Sequence, residues 1–342
     1  MSNRTNKPTI YDVARLAEVS VSSVSRVLND VKSVKSDVRE RVQKAIRDLN
    51  YVPNRTAQLL KAQHSRMLLH VVADITYPLY ISLYRSIRTL AAEHGYYVML
   101  LDAHHDSDRV RRALLDLPLE MVDGIIISAR TVGKNIMQLL KESGLPVVFT
   151  NDCEQNIFDA CYPNPSQGVA LAVQHLLHLG HKRIAYAGAN NKYISRVRMK
   201  AYEDSLLAAG LPLVSDLIFQ MDTTMKAGYR AGMYFCSLPE RPTAILAETG
   251  EVALGVIQAL YEKQVRMPQD MSLVSCNSSR LTDEVHPLPT ALSDPYVSIA
   301  GVAFEYLLSR IEKRYDGPPR LHISHERILL ERETSGPAPR NR

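Results

Sequence analysis

Ser20, Ser22, Ser23 and Ser25 crowd the stretch SVSSVSRVLN, with Arg26 as its one long cation. Short hydroxyl side chains let a helix approach an anionic backbone closely and donate to its oxygens. A guanidinium fork takes two acceptors in one plane, as guanine O6 and N7 present them. At the start of a helix, unsatisfied N–H groups and the positive dipole end also favour a phosphate. The chemistry implied is recognition. Small residues position the helix and one long residue reads a base.

Other reactive residue types form weaker patterns. His175, His178 and His181 recur every third position, but the last lies beyond Gly180, where a helix should end. His104-His105-Asp106 reads as a strand-to-helix loop. Neither spacing is expected to hold a metal. Cys153, Cys161, Cys236 and Cys276 lack CxxC spacing and are read as buried thiols in a reducing compartment. No P-loop, GxGxxG or GxSxG occurs. No catalytic residues, metal or cofactor are therefore expected.

The recognition residues need a scaffold. Thr9 is placed to cap a first helix running to Ala17, and Ser20 a second from Val21 to Leu28. Ser36 precedes a third, striped by Val38, Val42, Ala45, Ile46 and Leu49. Two helices joined by a tight turn, with a third behind, make a helix-turn-helix whose second helix enters the major groove. Val13, Ala14, Val19, Val24 and Val27 then form its core. Ser20, Val21, Ser22, Ser25, Arg26 and Asn29 face outward. Pro53 breaks the pattern, and NRTAQLLK follows as a helix of about two turns.

From Met67 the texture changes. Apolar runs such as MLLHVVA, YYVMLLD, GIIIS, PVVFT, RIAYAG, TAILA and SLVS alternate with amphipathic segments of helix length. That alternation predicts doubly wound parallel α/β sheets. The remaining length is large for one sheet, so two α/β lobes are expected, with a ligand in the cleft facing the carboxyl ends of the strands.

Charge and composition agree. Residues 1–66 carry 13 Lys+Arg against 6 Asp+Glu, net +7, whereas the whole 342-residue chain is +5. A basic head on a near-neutral body suits a polyanion. With 46% hydrophobic and 23% charged residues and no long apolar run, a water-soluble globular chain is predicted, with no membrane partner. The first residues lack the apolar stretch of a signal peptide, so a cytoplasmic location is expected.

The stretch TIYDVARLAEVSVSSVSRVLN closely resembles the head of the lactose-repressor (LacI/GalR) family of bacterial regulators, departing mainly at Ser23, where Thr is usual. NYVPNRTAQLLK resembles that family's hinge helix, and HLLHLGHKRIAYAG and VALGVIQAL its ligand core, related to periplasmic sugar-binding proteins. The resemblance implies that Val21 and Ser22 choose the operator sequence and that Arg26 reads a guanine. It implies that Thr9, Tyr11, Ser20, Ser25 and Asn29 contact the backbone or neighbouring bases. Leu60 would wedge into the minor groove, with Asn54 and Ala57 facing it. Arg198 would be the main effector clamp. Leu79, Tyr80, Asn151, Tyr193, Thr223, Thr249 and Asn277 are the further pocket candidates.

The pocket also departs from its relatives. Asn277 stands where an Asp is usual, Thr249-Gly250 where Asn-Asp is usual, Pro163-Asn164 where Asp-Asn is usual, and Thr223 where an aromatic stacker is common. A carboxylate accepts two sugar hydroxyls, whereas Asn accepts fewer and adds donors. Arg198 without nearby carboxylates predicts an anionic effector.

The expectation is a dimeric operator-binding repressor controlled by a small molecule. Its parts are a helix-turn-helix head (1–53), a hinge helix and linker (54–66), a two-lobed ligand-binding and dimerisation core (67–334) and a disordered tail (335–342). The alternatives are a small-molecule binding protein without DNA function, and a regulator whose pocket has lost its ligand.

Overall fold

The computed structural model describes residues 8–28, 34–51, 65–129, 132–151, 157–189, 193–293, 295–324 and 327–339. They fall into two compact units, divided between Ser65 and Arg66. Asn29, Asn54, Ala57 and Leu60 lie outside the described residues, as does nearly all of the expected hinge.

The first unit holds helices α1 (Ile10–Leu16), α2 (Val21–Leu28) and α3 (Ser36–Asp48). The Asp12 carboxylate accepts from the Thr9 N–H at 2.9 Å and the Thr9 hydroxyl at 2.7 Å, which fixes the start of α1. Ala17 closes α1, and Glu18, with φ of 53°, turns the chain into α2. Ser20 Oγ accepts from the Ser23 N–H at 3.2 Å and caps α2. The cap of α3 is Lys35, with Ser36 already helical, a shift of one residue from the sequence expectation. Arg41 of α3 donates to the Ala17 carbonyl at 3.2 Å and ties the third helix to the end of the first. Val13, Ala14, Val24, Val27, Val42 and Ala45 form the core, with Val19 packed at its edge.

The second unit contains two six-stranded sheets. The amino-terminal lobe is built from β1 (Met67–Val72), β2 (Tyr97–Asp102), β3 (Gly124–Ser128), β4 (Val147–Phe149), β5 (Asp159–Pro163) and β11 (Leu321–Ser324). Their order is β11-β5-β4-β3-β1-β2, parallel throughout. The carboxy-terminal lobe is built from β6 (Ile184–Gly188), β7 (Ile218–Gln220), β8 (Ala244–Ala247), β9 (Ser272–Ser275), β10 (Thr290–Leu292) and β12 (Leu329–Leu330). Its order is β12-β10-β9-β8-β6-β7, with only β12 antiparallel to its neighbour.

The chain passes between lobes three times. After β5, helix Pro165–His178 packs Val169, Ala172, Val173 and Leu176 into the second lobe. After β10, helix Tyr296–Ile311 returns Ile299, Ala300 and Ala303 to the first. Between β11 and β12 it crosses again. Central strands are largely apolar on both faces, as sheets covered on both sides require, with His70 of β1 and the two serines of β9 among the buried polar exceptions. Among the described residues, no helix is long and apolar enough to cross a membrane.

The expected disordered tail is corrected at its start. The Gly336 N–H donates to Ser272 Oγ at 3.1 Å, and the Gly336 carbonyl meets His181 Nε2 at 3.0 Å. Ser335 Oγ lies 2.9 Å from His175 Nε2, and the Ala338 N–H donates to the Leu179 carbonyl at 2.8 Å. Buried polar groups such as Ser272 and His181 need partners, and residues 335–338 supply them.

Candidate functional site: a reading helix and a ligand cleft

In the first unit, Ser20, Ser22 and Arg26 are exposed on α2, Val21 and Ser25 are half-buried, and Val24 and Val27 point into the core. Ser20 Oγ sits 2.8 Å from Ser22 Oγ and 2.9 Å from Ser23 Oγ, so the hydroxyls gather at the first turn of α2. Tyr11 is exposed on α1. Thr9 is exposed with its hydroxyl engaged by Asp12, and these hydrogen bonds hold the Asp12 carboxyl below its ordinary range. This face offers hydroxyl donors, an exposed guanidinium and the N-terminus of a helix, the equipment for a phosphate backbone and a base edge.

In the second unit, a cavity of about 210 Å³ lies between the lobes, at the carboxyl ends of the strands. The first lobe contributes Tyr77, Leu79, Tyr80, Ser128, Thr150 and Asn151; the second contributes Ser195, Arg198, Thr223, Glu248, Thr249 and Asn277. Of the eight expected pocket residues, seven line this cavity. Tyr193 opens helix Tyr193–Ala208, and its side chain lies outside the described residues.

Several of these groups hold the wall together. Thr249 Oγ1 accepts from the Val252 N–H at 3.3 Å and caps helix Gly250–Glu262. Asn277 Oδ1 accepts from the Gly250 N–H at 3.2 Å. Asn164 caps helix Pro165–His178 through its side chain and lies outside the cavity wall, whereas Pro163 lines it.

Glu248 overturns the premise of an anionic effector. Its Oε1 lies 3.3 Å from Arg198 Nη1 and accepts from the Ser195 hydroxyl at 2.7 Å. Its Oε2 accepts from the Ala189 N–H at 2.5 Å, and its carbonyl accepts from Arg198 Nη1 at 3.1 Å. Both side chains are buried. Burial works against the Arg198 charge, but the carboxylate beside it prevails and holds the guanidinium more firmly protonated than usual. Gly188 makes room for this arrangement, since a Cβ there would fall 2.5 Å from Glu248 Oε2. Arg327 and Glu251 also line the cleft, so its basic and acidic groups are balanced. Glu248 is not legible as a site residue in the sequence, because it follows β8 directly and its partner is fifty residues away. Arg327 was missed because it enters with the last crossover.

Two of the histidines are engaged in hydrogen bonds that tie distant segments together. His175 and His181 bond to the tail and to Ser272 and Thr243. Asp106 caps helix Ser107–Asp116. Asp74, Asp102 and His104 approach within 4.8 Å at the ends of β1 and β2, with His104 exposed.

Comparison with known proteins agrees with this architecture. Residues 9–54 match the family described as bacterial regulatory proteins, lacI family, and residues 173–335 match a periplasmic binding protein-like domain. The chain is 32% identical to catabolite control protein A of Priestia megaterium, over 95% of this chain and 99% of that protein. It is 30% identical to the ribose operon repressor of Escherichia coli K12, over 95% and 98%. It shares the fold of the lac repressor dimer bound to operator and the anti-inducer ONPF, with a TM-score of 0.84 at 24% identity over 97% of this chain and 100% of that one. The chain thus belongs to the lacI family of bacterial regulatory proteins: it is a transcriptional regulator with a helix-turn-helix DNA-binding head and a ligand-binding core, and not an enzyme.

Proposed function

We propose that the chain is a cytoplasmic, homodimeric repressor that releases or grips an operator according to the occupancy of the inter-lobe cleft. Val21 and Ser22 select the operator sequence and Arg26 takes a guanine. Thr9, Tyr11, Ser20, Ser25 and Asn29 contact the backbone or adjoining bases. Asn54, Ala57 and Leu60 act in the hinge, with Leu60 as the minor-groove wedge. The head ends near residue 53, the hinge near 66, and the core carries dimerisation. The relatives that bear repressor names, and the operator-bound dimer that shares this fold, support that reading.

For the effector, the observation that carries most weight is the buried Arg198–Glu248 pair in the cleft wall. A guanidinium already neutralised by a buried carboxylate has no need of an anion, and the carboxylate would repel one. The effector is therefore small, uncharged overall and hydroxyl-bearing, held by Leu79, Tyr80, Asn151, Tyr193, Arg198, Thr223, Thr249 and Asn277 together with Glu248. Thermal-shift screening of neutral aldopentoses and aldohexoses against their phosphates tests this. Stabilisation by a neutral sugar is expected. A response to the phosphates alone would overturn the charge argument, and silence across both sets would favour a cleft that has lost its ligand.

A further inference from the structure

His70 occupies the middle of β1, opposite Leu100 of β2 and Ile126 of β3, where a doubly covered strand would ordinarily carry an apolar residue. It is completely buried, with its ring stacked near Tyr84. Its Nε2 lies 2.7 Å from Ser128 Oγ, and Ser128 Oγ lies 2.7 Å from Thr150 Oγ1. Ser128 and Thr150 both line the cleft. A chain of three side chains therefore runs from the sheet interior to the ligand cavity.

The direction of that chain follows from one orphan atom. Among the described residues, His70 Nδ1 has no hydrogen-bond partner. Burial pushes the imidazole down to about 3, so at neutral pH it carries a single proton. A buried N–H without an acceptor is rarer and costlier than a bare acceptor lone pair. The proton therefore resides on Nε2 and is donated to Ser128 Oγ. Ser128 then spends its one hydrogen on Thr150 Oγ1. Thr150 is left with its own O–H aimed away from Ser128, on the cavity wall.

We infer that His70 is a positioning residue that polarises the Ser128–Thr150 pair, so that Thr150 presents a hydrogen-bond donor to the effector and selects a ligand oxygen that accepts at that point. The inference rests on the cleft being the effector site. The opposite tautomer would reverse every bond and turn the Thr150 oxygen outward as an acceptor.

The decisive measurement needs no ligand. The full chain is labelled with 15N-histidine and long-range proton–nitrogen correlations are recorded between pH 6 and 8, with His70 assigned by the signals lost in His70→Asn. The expected pattern is a neutral ring protonated at Nε2, unchanged across that range. A ring protonated at Nδ1, or one titrating within it, overturns the inference. In a second arm, the sugar that stabilises the wild type most in the neutral panel is titrated into Thr150→Ser and Thr150→Val. Thr150→Ser should bind normally, and Thr150→Val should lose about tenfold in affinity, the scale of one hydrogen bond with its partner left unsatisfied. Equal binding by both variants removes Thr150 as a donor. If no sugar binds the wild type, the effector reading fails and the tautomer measurement still decides the polarity of the chain.

Discussion

The first turn of α2 and the inter-lobe cleft, the two places proposed for recognition, are built in opposite ways. On α2, Ser20, Ser22 and Arg26 come from seven consecutive residues and face outward from one short helix. In the cleft, Arg198 and Glu248 come from segments fifty residues apart, and Ser128 and Thr150 from the opposite lobe. A surface that reads a polyanion leaves its charges in water, where each costs little to maintain. A cavity that holds a small molecule must bury its charged groups and pair them first. The consequences of mutation should differ accordingly. Changes in the cleft should act on folding as well as on binding, and changes on the reading face should act almost wholly on DNA.

Glu248→Ala provides the largest expected contrast. It leaves the buried Arg198 guanidinium without its carboxylate, which should cost about 3–5 kcal/mol of core stability. The Glu248→Gln variant keeps the shape and one acceptor and should cost less. Denaturant unfolding of the full chain measures both. A midpoint for Glu248→Ala within error of wild type would show that solvent reaches the pair, and the contrast between buried and exposed recognition would collapse.

Acid should separate the two regions next. Burial holds His70 at about 3, against 6.5 for an unperturbed imidazole. The unfolded chain therefore takes the proton first as pH falls. The stability owed to neutral His70 is complete above about 6.5 and is lost on the way down to about 3, by up to about 1.4 kcal/mol per pH unit. His175 and His181, also lowered chiefly by burial, act in the same direction. The head contrasts through Asp12, which the Thr9 hydrogen bonds hold below 3.8. Its contribution persists above that value and fades only as pH falls further. Hydrogen exchange between pH 7 and 5 should show the sheet of the first lobe opening more easily while α1 stays unchanged. Parallel loss of protection in both would remove the distinction.

The same contrast explains what was legible beforehand. The head could be read nearly residue by residue, because its caps, apolar spacing and turn are local in sequence. Among the described residues, the cap of α3 moved from Ser36 to Lys35, α1 ends at Leu16 with Ala17 as its cap, and Val21, expected outward, is half-buried against the core of the head. In the core, the strands seen as apolar runs were found, whereas β5, β10, β11 and β12 were not. The DACYP segment of β5 begins with Asp159 and ends in a proline, β10 is a three-residue strand that opens on Thr290, β12 has two residues, and β11 is exposed or half-buried at every position but Ser324. The wall of the cleft was legible from family likeness, but its charge was not. Arg198 reads as unpaired in the sequence because its carboxylate partner, Glu248, is supplied by tertiary structure, just beyond the end of another strand. The same holds for the tail, whose first residues are ordered by Ser272, His175 and His181 from distant segments.

On the reading face, Arg26→Ala should cost about 1–3 kcal/mol at one guanine and relax preference at that position. Exchanging Val21 and Ser22 for other residues should change the selected sequence while leaving non-specific affinity nearly intact, since the phosphate contacts remain. The thermal stability of the core should not move in either variant. Selection from random DNA, read alongside a melting curve, tests both halves. An unchanged consensus for the Val21/Ser22 variant would place the specificity elsewhere on the head.

The smallest effect lies at Ser20, where the two constructions meet. Its hydroxyl oxygen accepts from the Ser23 N–H at 3.2 Å, so it stabilises the helix, and it stands exposed at the turn expected to meet phosphate. Ser22 is also exposed, and among the described residues its hydroxyl meets the Ser20 hydroxyl and accepts from no helix N–H. Ser20→Ala should therefore remove about 1 kcal/mol of helix stability, the ordinary worth of a serine cap, and weaken DNA binding as well. Ser22→Ala should weaken or redirect binding and leave α2 as stable as before. Amide exchange in α2 without DNA separates the two roles, with about fivefold faster exchange expected for Ser20→Ala and no change for Ser22→Ala. Equal exchange in the two variants would mean that Ser20 stabilises α2 no more than Ser22 does, and that the crowded hydroxyls at the first turn serve DNA alone.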